Sequence, residues 1–295
     1  MLTTLGLLPF IAYAAANGDN SESEKESLQW TGTCASGKAQ SPIDINLSIA
    51  VVRDFPALVF KNYDVLGTVV VGNNGHTEIL QGFTAWPQQP MLSGGGLTGR
   101  YMLQQFHFHW DQSRDLGSEH TIDKLHYALE AHFVHALENL TIEQAARIPY
   151  GIAILAVFFA ISDTPSQLRQ LENLFDMTTA FGSYNSVTYR ANDLLPEDRE
   201  VWFLYSGSLT TPPCSENVIW TLLAEPIYVE ESQLEELRHR VSNTGALLVR
   251  NRREVQPLNN RVIYMRARKG NGAAHCSRSL FVIILILQFS QTLNK

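Results

Sequence analysis

Short runs of apolar or alternating residues, separated by turn residues, dominate positions 30–268. Thr68-Val69-Val70-Val71, Gln104-Gln105-Phe106-His107-Phe108-His109-Trp110 and Ile152-Ala153-Ile154-Leu155-Ala156-Val157-Phe158-Phe159 have the length and the β-branched or aromatic content of strands. Two stretches have helical spacing instead. Thr164 stands as a cap before Pro165 at a first helical position, and Leu168, Leu171, Leu174 and Phe175 follow at helical spacing. Ser232-Gln233-Leu234-Glu235 reads as a capping box leading into Leu237 and Val241. No linker, composition break or internal repeat divides 30–268, so the pattern predicts one mainly β domain with a few peripheral helices.

At both ends the pattern changes. Residues 1–16 hold a short apolar stretch and then Ala14-Ala15-Ala16, which suits signal-peptide cleavage after Ala16. Residues 17–29 are polar and aperiodic and read as a flexible leader. A second apolar run, 280–287, falls far short of the ~20 residues that span a bilayer. Asn271-Gly272-Ala273-Ala274 and a polar spacer precede it, so 269–295 reads as a processed glycolipid (GPI) anchor signal. Cysteine usage agrees with export: without Cys276 in the tail, Cys34 and Cys214 can form one disulfide. Two sequons, Asn46-Leu47-Ser48 and Asn139-Leu140-Thr141, offer glycosylation at Asn46 and Asn139. A net charge of −7 with no dense Lys/Arg stripe argues against a nucleic-acid partner.

The most informative segment is 105–110. Side chains alternate across a strand, so His107 and His109 share one face while Phe106, Phe108 and Trp110 take the other. A neighbouring strand around 127–135 would put Glu130 and His132 on one face and His135 on the opposite one. Three neutral imidazoles with an open fourth position form the pattern of a catalytic zinc site, whereas structural zinc prefers four ligands, usually with Cys. Each such ligand needs its other ring nitrogen held; Glu130 is placed to hold His132, and Gln105 shares a face with His107. An i, i+2 histidine pair also arises by coincidence, and Glu130 could be a surface carboxylate, so the residues alone leave both readings open.

Longer motifs narrow the choice. Gln40-Ser41-Pro42-Ile43-Asp44-Ile45, Asn73-Asn74-Gly75-His76, the 105–110 segment and Gly117-Ser118-Glu119-His120-Thr121 occur in order, followed by Ser208-Leu209-Thr210-Thr211-Pro212-Pro213-Cys214 and Gln256-Pro257-Leu258. Over about 30–265 the chain resembles an α-class carbonic anhydrase of the extracellular, GPI-anchored type. The resemblance implies a large twisted, mostly antiparallel ten-stranded sheet with Zn2+ at the floor of a conical cleft. It implies reversible hydration of carbon dioxide by zinc-bound hydroxide, giving bicarbonate and a proton, with the metal lowering the water's pKa to about 7 in that family.

By the same resemblance His107, His109 and His132 hold the zinc, and Gln105, Glu130 and the backbone near Asn251 hold those ligands. Thr210 accepts a hydrogen bond from the hydroxide and passes orientation to Glu119, a gain in aim more than in basicity. Val134, Ile154, Leu209, Val218 and Trp220 match the apolar wall for carbon dioxide, and Thr211 lines the cleft. His76 matches the proton shuttle, with Asn74 ordering its waters. Cys34 and Cys214 match the disulfide that steadies the Thr210 loop. The type implied acts at the outer face of the plasma membrane, touching it only through the lipid anchor, with bicarbonate transporters as fitting partners.

The chain departs from the pattern at its start. Trp30 matches a later family Trp, no residue matches the earlier Trp and the Tyr that projects into the cleft, and altered proton transfer with a more open cleft edge is expected. Ala136 stands in place of a frequent Trp, and Ile79 in place of a polar residue, which predicts a more apolar rim. A surface binding module that has lost catalysis is the competing reading; the survival of all three histidines, Thr210 and Glu119 speaks against it. A zinc peptidase would need an H-E-x-x-H helix, and there is none.

Overall fold

The computed structural model describes residues 30–163 and 166–268. The expected signal peptide, leader and anchor signal lie outside the described residues, as do Thr164, Pro165 and Cys276. The strands are β1 (Asp44–Ile45), β2 (Val51–Val52), β3 (Leu58–Lys61), β4 (Gly67–Asn73), β5 (Glu78–Gln81), β6 (Met91–Gly94), β7 (Tyr101–His109) and β8 (Thr121–Ile122). They continue as β9 (Leu129–Leu137), β10 (Ile152–Ile161), β11 (Tyr184–Tyr189), β12 (Trp202–Gly207), β13 (Val218–Leu223), β14 (Ile227–Val229) and β15 (Tyr264–Arg266).

One large sheet runs in the order β11-β4-β5-β7-β9-β10-β13-β12-β15-β2. That path holds the ten strands expected; β3, β6 and β14 attach to it and bring the sheet to thirteen, while β1 and β8 pair separately. Most pairings are antiparallel, and the parallel ones are β10–β13, β10–β14 and β15–β2 within the sheet and β1–β8 outside it. The unbroken apolar run of β10 has a physical reason: it is central, paired with β9, β13 and β14, and buried on both faces.

Strand β7 alternates with one interruption. Tyr101, Leu103, Phe106 and Phe108 point into the core, and Met102, Gln104, Gln105, His107 and His109 line a cavity on the opposite face. Two consecutive residues, Gln104 and Gln105, face the same way because the β7–β9 register shifts between Leu103 and Gln105. On the core side Phe106 stacks on Phe133 with ring centroids 4.7 Å apart. The cavity side has its own apolar cluster, which includes Val134, Ile154, Leu209 and Trp220.

Both helical segments form, and their caps among the described residues are Ser166 and Glu230. Ser166 Oγ accepts from Leu168 N at 3.0 Å and opens a 3-10 turn, Gln167–Gln170, that leads into the helix Glu172–Met177. The second helix, Glu231–Arg238, begins one position before Ser232: its capping box is Glu230 with Gln233, because Gln233 Oε1 accepts from Glu230 N at 3.1 Å.

His135 is fully buried on the core face of β9. Its Nδ1 lies 3.2 Å from the Ala153 carbonyl, so that nitrogen carries the proton, and Nε2 accepts from the Tyr63 hydroxyl at 2.5 Å. Burial pushes its pKa down to about 4, against backbone hydrogen bonds to Ala153 and Phe133 that raise it. The unfolded chain therefore takes up a proton near pH 6.5 that the folded chain refuses until about pH 4. Over that window His135 is expected to remove about 3 kcal/mol of stability as pH falls. Urea titrations across it should show a steep loss in the wild type and a shallower one in His135→Gln.

Candidate metal centre and active-site cavity

Adjacent antiparallel strands build the floor of the cavity. In the β7–β9 register His107 lies directly opposite His132, and His109 opposite Glu130. Ring centroids are 5.0 Å apart for His107 and His109, 5.4 Å for His107 and His132, and 4.4 Å for His109 and His132. One ligand atom from each lies within 4.8 Å of the others.

The outward nitrogens are all engaged. His107 Nδ1 donates to Gln105 Oε1 at 2.9 Å, His109 Nδ1 to the Asn251 carbonyl at 3.2 Å, and His132 Nε2 to Glu130 Oε1 at 2.7 Å. These three contacts match the holding residues expected from the sequence. They fix the tautomers and direct Nε2 of His107, Nε2 of His109 and Nδ1 of His132 inward. His109 Nε2 is buried and has no hydrogen-bond partner among the described residues. Burial, reinforced by the neighbouring imidazoles, pushes the His107 pKa well down, and burial lowers that of His109. Neutral imidazoles with inward lone pairs are what a divalent metal requires. The donor set fits zinc.

A second cluster, His120, Glu130 and His132, has the same spacing but another use. His120 Nδ1 and backbone N–H donate to the two Glu130 oxygens at 2.7 and 2.8 Å, so that carboxylate is fully subscribed. Burial tends to raise the Glu130 pKa, but His120 and His132 prevail through charge and hydrogen bonds and hold it well below the usual carboxylate range. His120 Nε2 continues to the Tyr205 hydroxyl at 2.7 Å, and Tyr205 reaches Ser41 Oγ at 2.8 Å. His120 and Ser41 both stand inside the sequence motifs, where neither has an evident task. Nothing in their spacing reveals this chain, which the fold closes from four separate segments.

Above the floor opens a cavity of about 1150 Å³. Asn74, His76, Val134, Ile154, Leu209, Thr210 and Thr211 line it, as expected, and so do Ile79 and Trp30. Val218 and Trp220 do not. Both are buried behind the wall, where Trp220 packs against the His132 ring at 4.8 Å and donates to the Ser208 carbonyl at 3.0 Å; they support the pocket without lining it. Ala136 is likewise buried and lines no part of the cavity, so of the two rim departures only Ile79 faces it.

Glu119 is buried beside the histidines, its Oε1 accepting the Arg253 backbone N–H at 2.8 Å and lying 3.4 Å from His109 Nδ1. Its Oε2 is a buried acceptor without a donor among the described residues, so the link from Thr210 to Glu119 is not closed. Arg253 is the residue that sequence reading missed here. Its guanidinium donates to Gln40 Oε1, the Ser41 carbonyl and the Cys34 carbonyl at 2.9, 2.7 and 2.9 Å and lies 4.8 Å from the Trp30 ring centre. Cys34 and Cys214 form the expected disulfide, which ties this cluster to the loop carrying Thr210 and Thr211.

His76 sits in a turn closed by Asn74, whose Oδ1 accepts the backbone N–H groups of His76 and Thr77 at 2.9 Å each. That oxygen is thus committed to the turn. Burial lowers the His76 pKa from its ordinary 6.5. Asn251 Nδ2 donates to the His76 carbonyl at 3.0 Å, so one residue braces both the His76 turn and His109.

A family model for eukaryotic-type carbonic anhydrases matches residues 24–267. The chain belongs to the α-class carbonic anhydrases, a family of enzymes. It is 39% identical over 261 residues to a Caenorhabditis elegans protein named "Putative carbonic anhydrase 5", covering 87% of this chain and 84% of the relative. Carbonic anhydrase 7 of Mus musculus is 37% identical over 241 residues, covering 78% and 89%. Carbonic anhydrase 3 of Homo sapiens is 36% identical over 237 residues, covering 78% and 90%.

Removing a residue that holds a ligand should weaken metal binding without unfolding the protein. Glu130→Gln is expected to reduce zinc affinity by about 10–100-fold, read by competition with a chromophoric chelator. An unchanged affinity would mean that Glu130 serves packing alone.

Proposed function

We propose that the protein catalyses zinc-dependent, reversible hydration of carbon dioxide to bicarbonate and a proton. The observation that carries this reading is the convergence of His107, His109 and His132 in one cavity, with all three outward nitrogens held. A zinc ion on these ligands would supply Lewis acidity, which makes hydroxide available from water near neutral pH.

The remaining work falls to the chain's own groups. Val134, Ile154 and Leu209 offer an apolar wall to a substrate with no charge to grip, held near the three imidazoles by exclusion of water. The unpaired Glu119 Oε2 is an acceptor available to the Thr210 hydroxyl, which would then have its own lone pairs left to orient the attacking oxygen. His76 takes the released proton on its imidazole through bridging water and gives it to buffer. A more open entrance and altered proton transfer, expected from the sequence, belong to this reading.

Export completes the reading: a signal peptide over 1–16, glycosylation at Asn46 and Asn139, and a GPI anchor placing the enzyme at the outer cell surface, where bicarbonate transporters would use its product. The sequence and the Cys34–Cys214 bond support it, since such bonds persist in oxidising compartments. Release from intact cells by a phosphatidylinositol-specific phospholipase tests the anchor.

Stopped-flow carbon dioxide hydration with zinc quantitation tests the reaction. His107→Ala should lose both metal and activity; full activity in metal-free protein would refute the mechanism. His76→Ala should lose turnover by about 10-fold or more in dilute buffer and recover with added imidazole. Because burial lowers the His76 pKa, its neutral, proton-accepting form persists below pH 6.5. The part of turnover that His76 supplies should therefore fade only at a pH beneath that value.

A further inference from the structure

The sequon Asn139-Leu140-Thr141 belongs to the mouth of the cavity. One residue separates it from the end of β9, and it leads into the short helix Ile142–Ala145, so the strand that supplies His132 to the floor runs out to the turn that carries Asn139 at the rim. Asn139, Leu140, Thr141, Ile142 and Glu143 all line the same cavity as the histidines. Asn46, in the other sequon, lines none of it.

The local geometry leaves Asn139 ready to carry a substituent. Its backbone is left-handed, with φ 67°, a conformation that Asn tolerates and that turns the chain at this point. The residue is exposed, and its carboxamide makes no hydrogen bond among the described residues. Thr141 caps the following helix, accepting from Gln144 N at 3.3 Å, so the turn is built without help from the Asn139 side chain. A group on Nδ2 would break nothing.

We infer that an N-linked glycan on Asn139 stands at the cavity mouth and sorts visitors by size, passing carbon dioxide, bicarbonate and water while slowing bulky ligands. The modification needs a lipid-pyrophosphate-linked oligosaccharide as donor. Asn139 Nδ2 forms a bond to the anomeric carbon, the bond from that carbon to the pyrophosphate oxygen breaks, the lipid pyrophosphate leaves and the Nδ2 proton passes to solvent. The inference rests on the secretory reading above and deepens it: the glycan is a selectivity element of the active-site entrance.

The test uses the full chain expressed in a secretory animal cell line. Amidase deglycosylation in heavy-oxygen water, followed by peptide mass mapping, reads occupancy at Asn46 and Asn139 separately. Access is read on the zinc-loaded protein with two zinc-binding probes, acetohydroxamate and the same hydroxamate carrying fluorescein on a short linker. Enzymatic glycan removal, or the left-handed-tolerant variant Asn139→Asp, should speed association of the fluorescein probe by about three-fold or more. Inhibition by acetohydroxamate and carbon dioxide hydration should each change by less than about two-fold. Asn46→Asp should have no such effect. An unmodified Asn139 in protein that carries the Asn46 glycan or the oxidised Cys34–Cys214 pair overturns the inference and leaves secretion standing. Reduced cysteines with both sequons bare overturn both. A glycan on Asn139 whose removal speeds neither probe, or both equally, overturns the sorting role.

Discussion

Three imidazoles packed side by side away from water are stable only if their outward nitrogens find partners, and the β7–β9 register meets that demand. It places His107 opposite His132 and His109 opposite Glu130, so ligands and one of their holders arrive together when two strands pair. A slip of one residue would turn all of them toward the aromatic core. The register is pinned from that side by Phe106, Phe108 and Phe133, whose burial strongly disfavours any such slip. The apolar face of the strand thus sets the position of the polar face.

Around this pair the polar groups form connected chains. From His132 the contacts run through Glu130, His120 and Tyr205 to Ser41. From Glu119 they run through Arg253 to Gln40 and the disulfide. Both chains end in the segment just after Trp30, so residues 34–41 brace the site although none of them is a metal ligand. Glu130 stays ionised in the interior because two imidazole partners and a backbone amide outweigh the cost of leaving water.

Much of this was legible in the sequence. Alternation placed His107 and His109 opposite Phe106 and Phe108, and the family motifs supplied Glu119, Thr210 and His76. The misses have a common cause. His120, Tyr205 and Arg253 act through contacts between segments that only the fold brings together, and local spacing carries no trace of them. Trp220 and Val218 failed in the opposite way: motif matching put them near the site, but it does not distinguish a wall's surface from the layer behind it. The cap of the second helix lies at Glu230 instead of Ser232 because both residues offer the same local chemistry.

The register shift at Gln104 gives strand β7 two phases along its length. Up to Leu103 the odd positions lie inward to the core, and from Phe106 the even ones do. The histidine-bearing half and the entrance half are thus set independently, joined by a single surplus residue. Strict alternation over the same residues would put His107 and His109 on the face of Tyr101 and Leu103; the surplus residue lets the aromatic positions of both halves face the core and leaves the histidines to the cavity. For this protein the register shift between Leu103 and Gln105 is as much a part of the metal site as the histidines themselves.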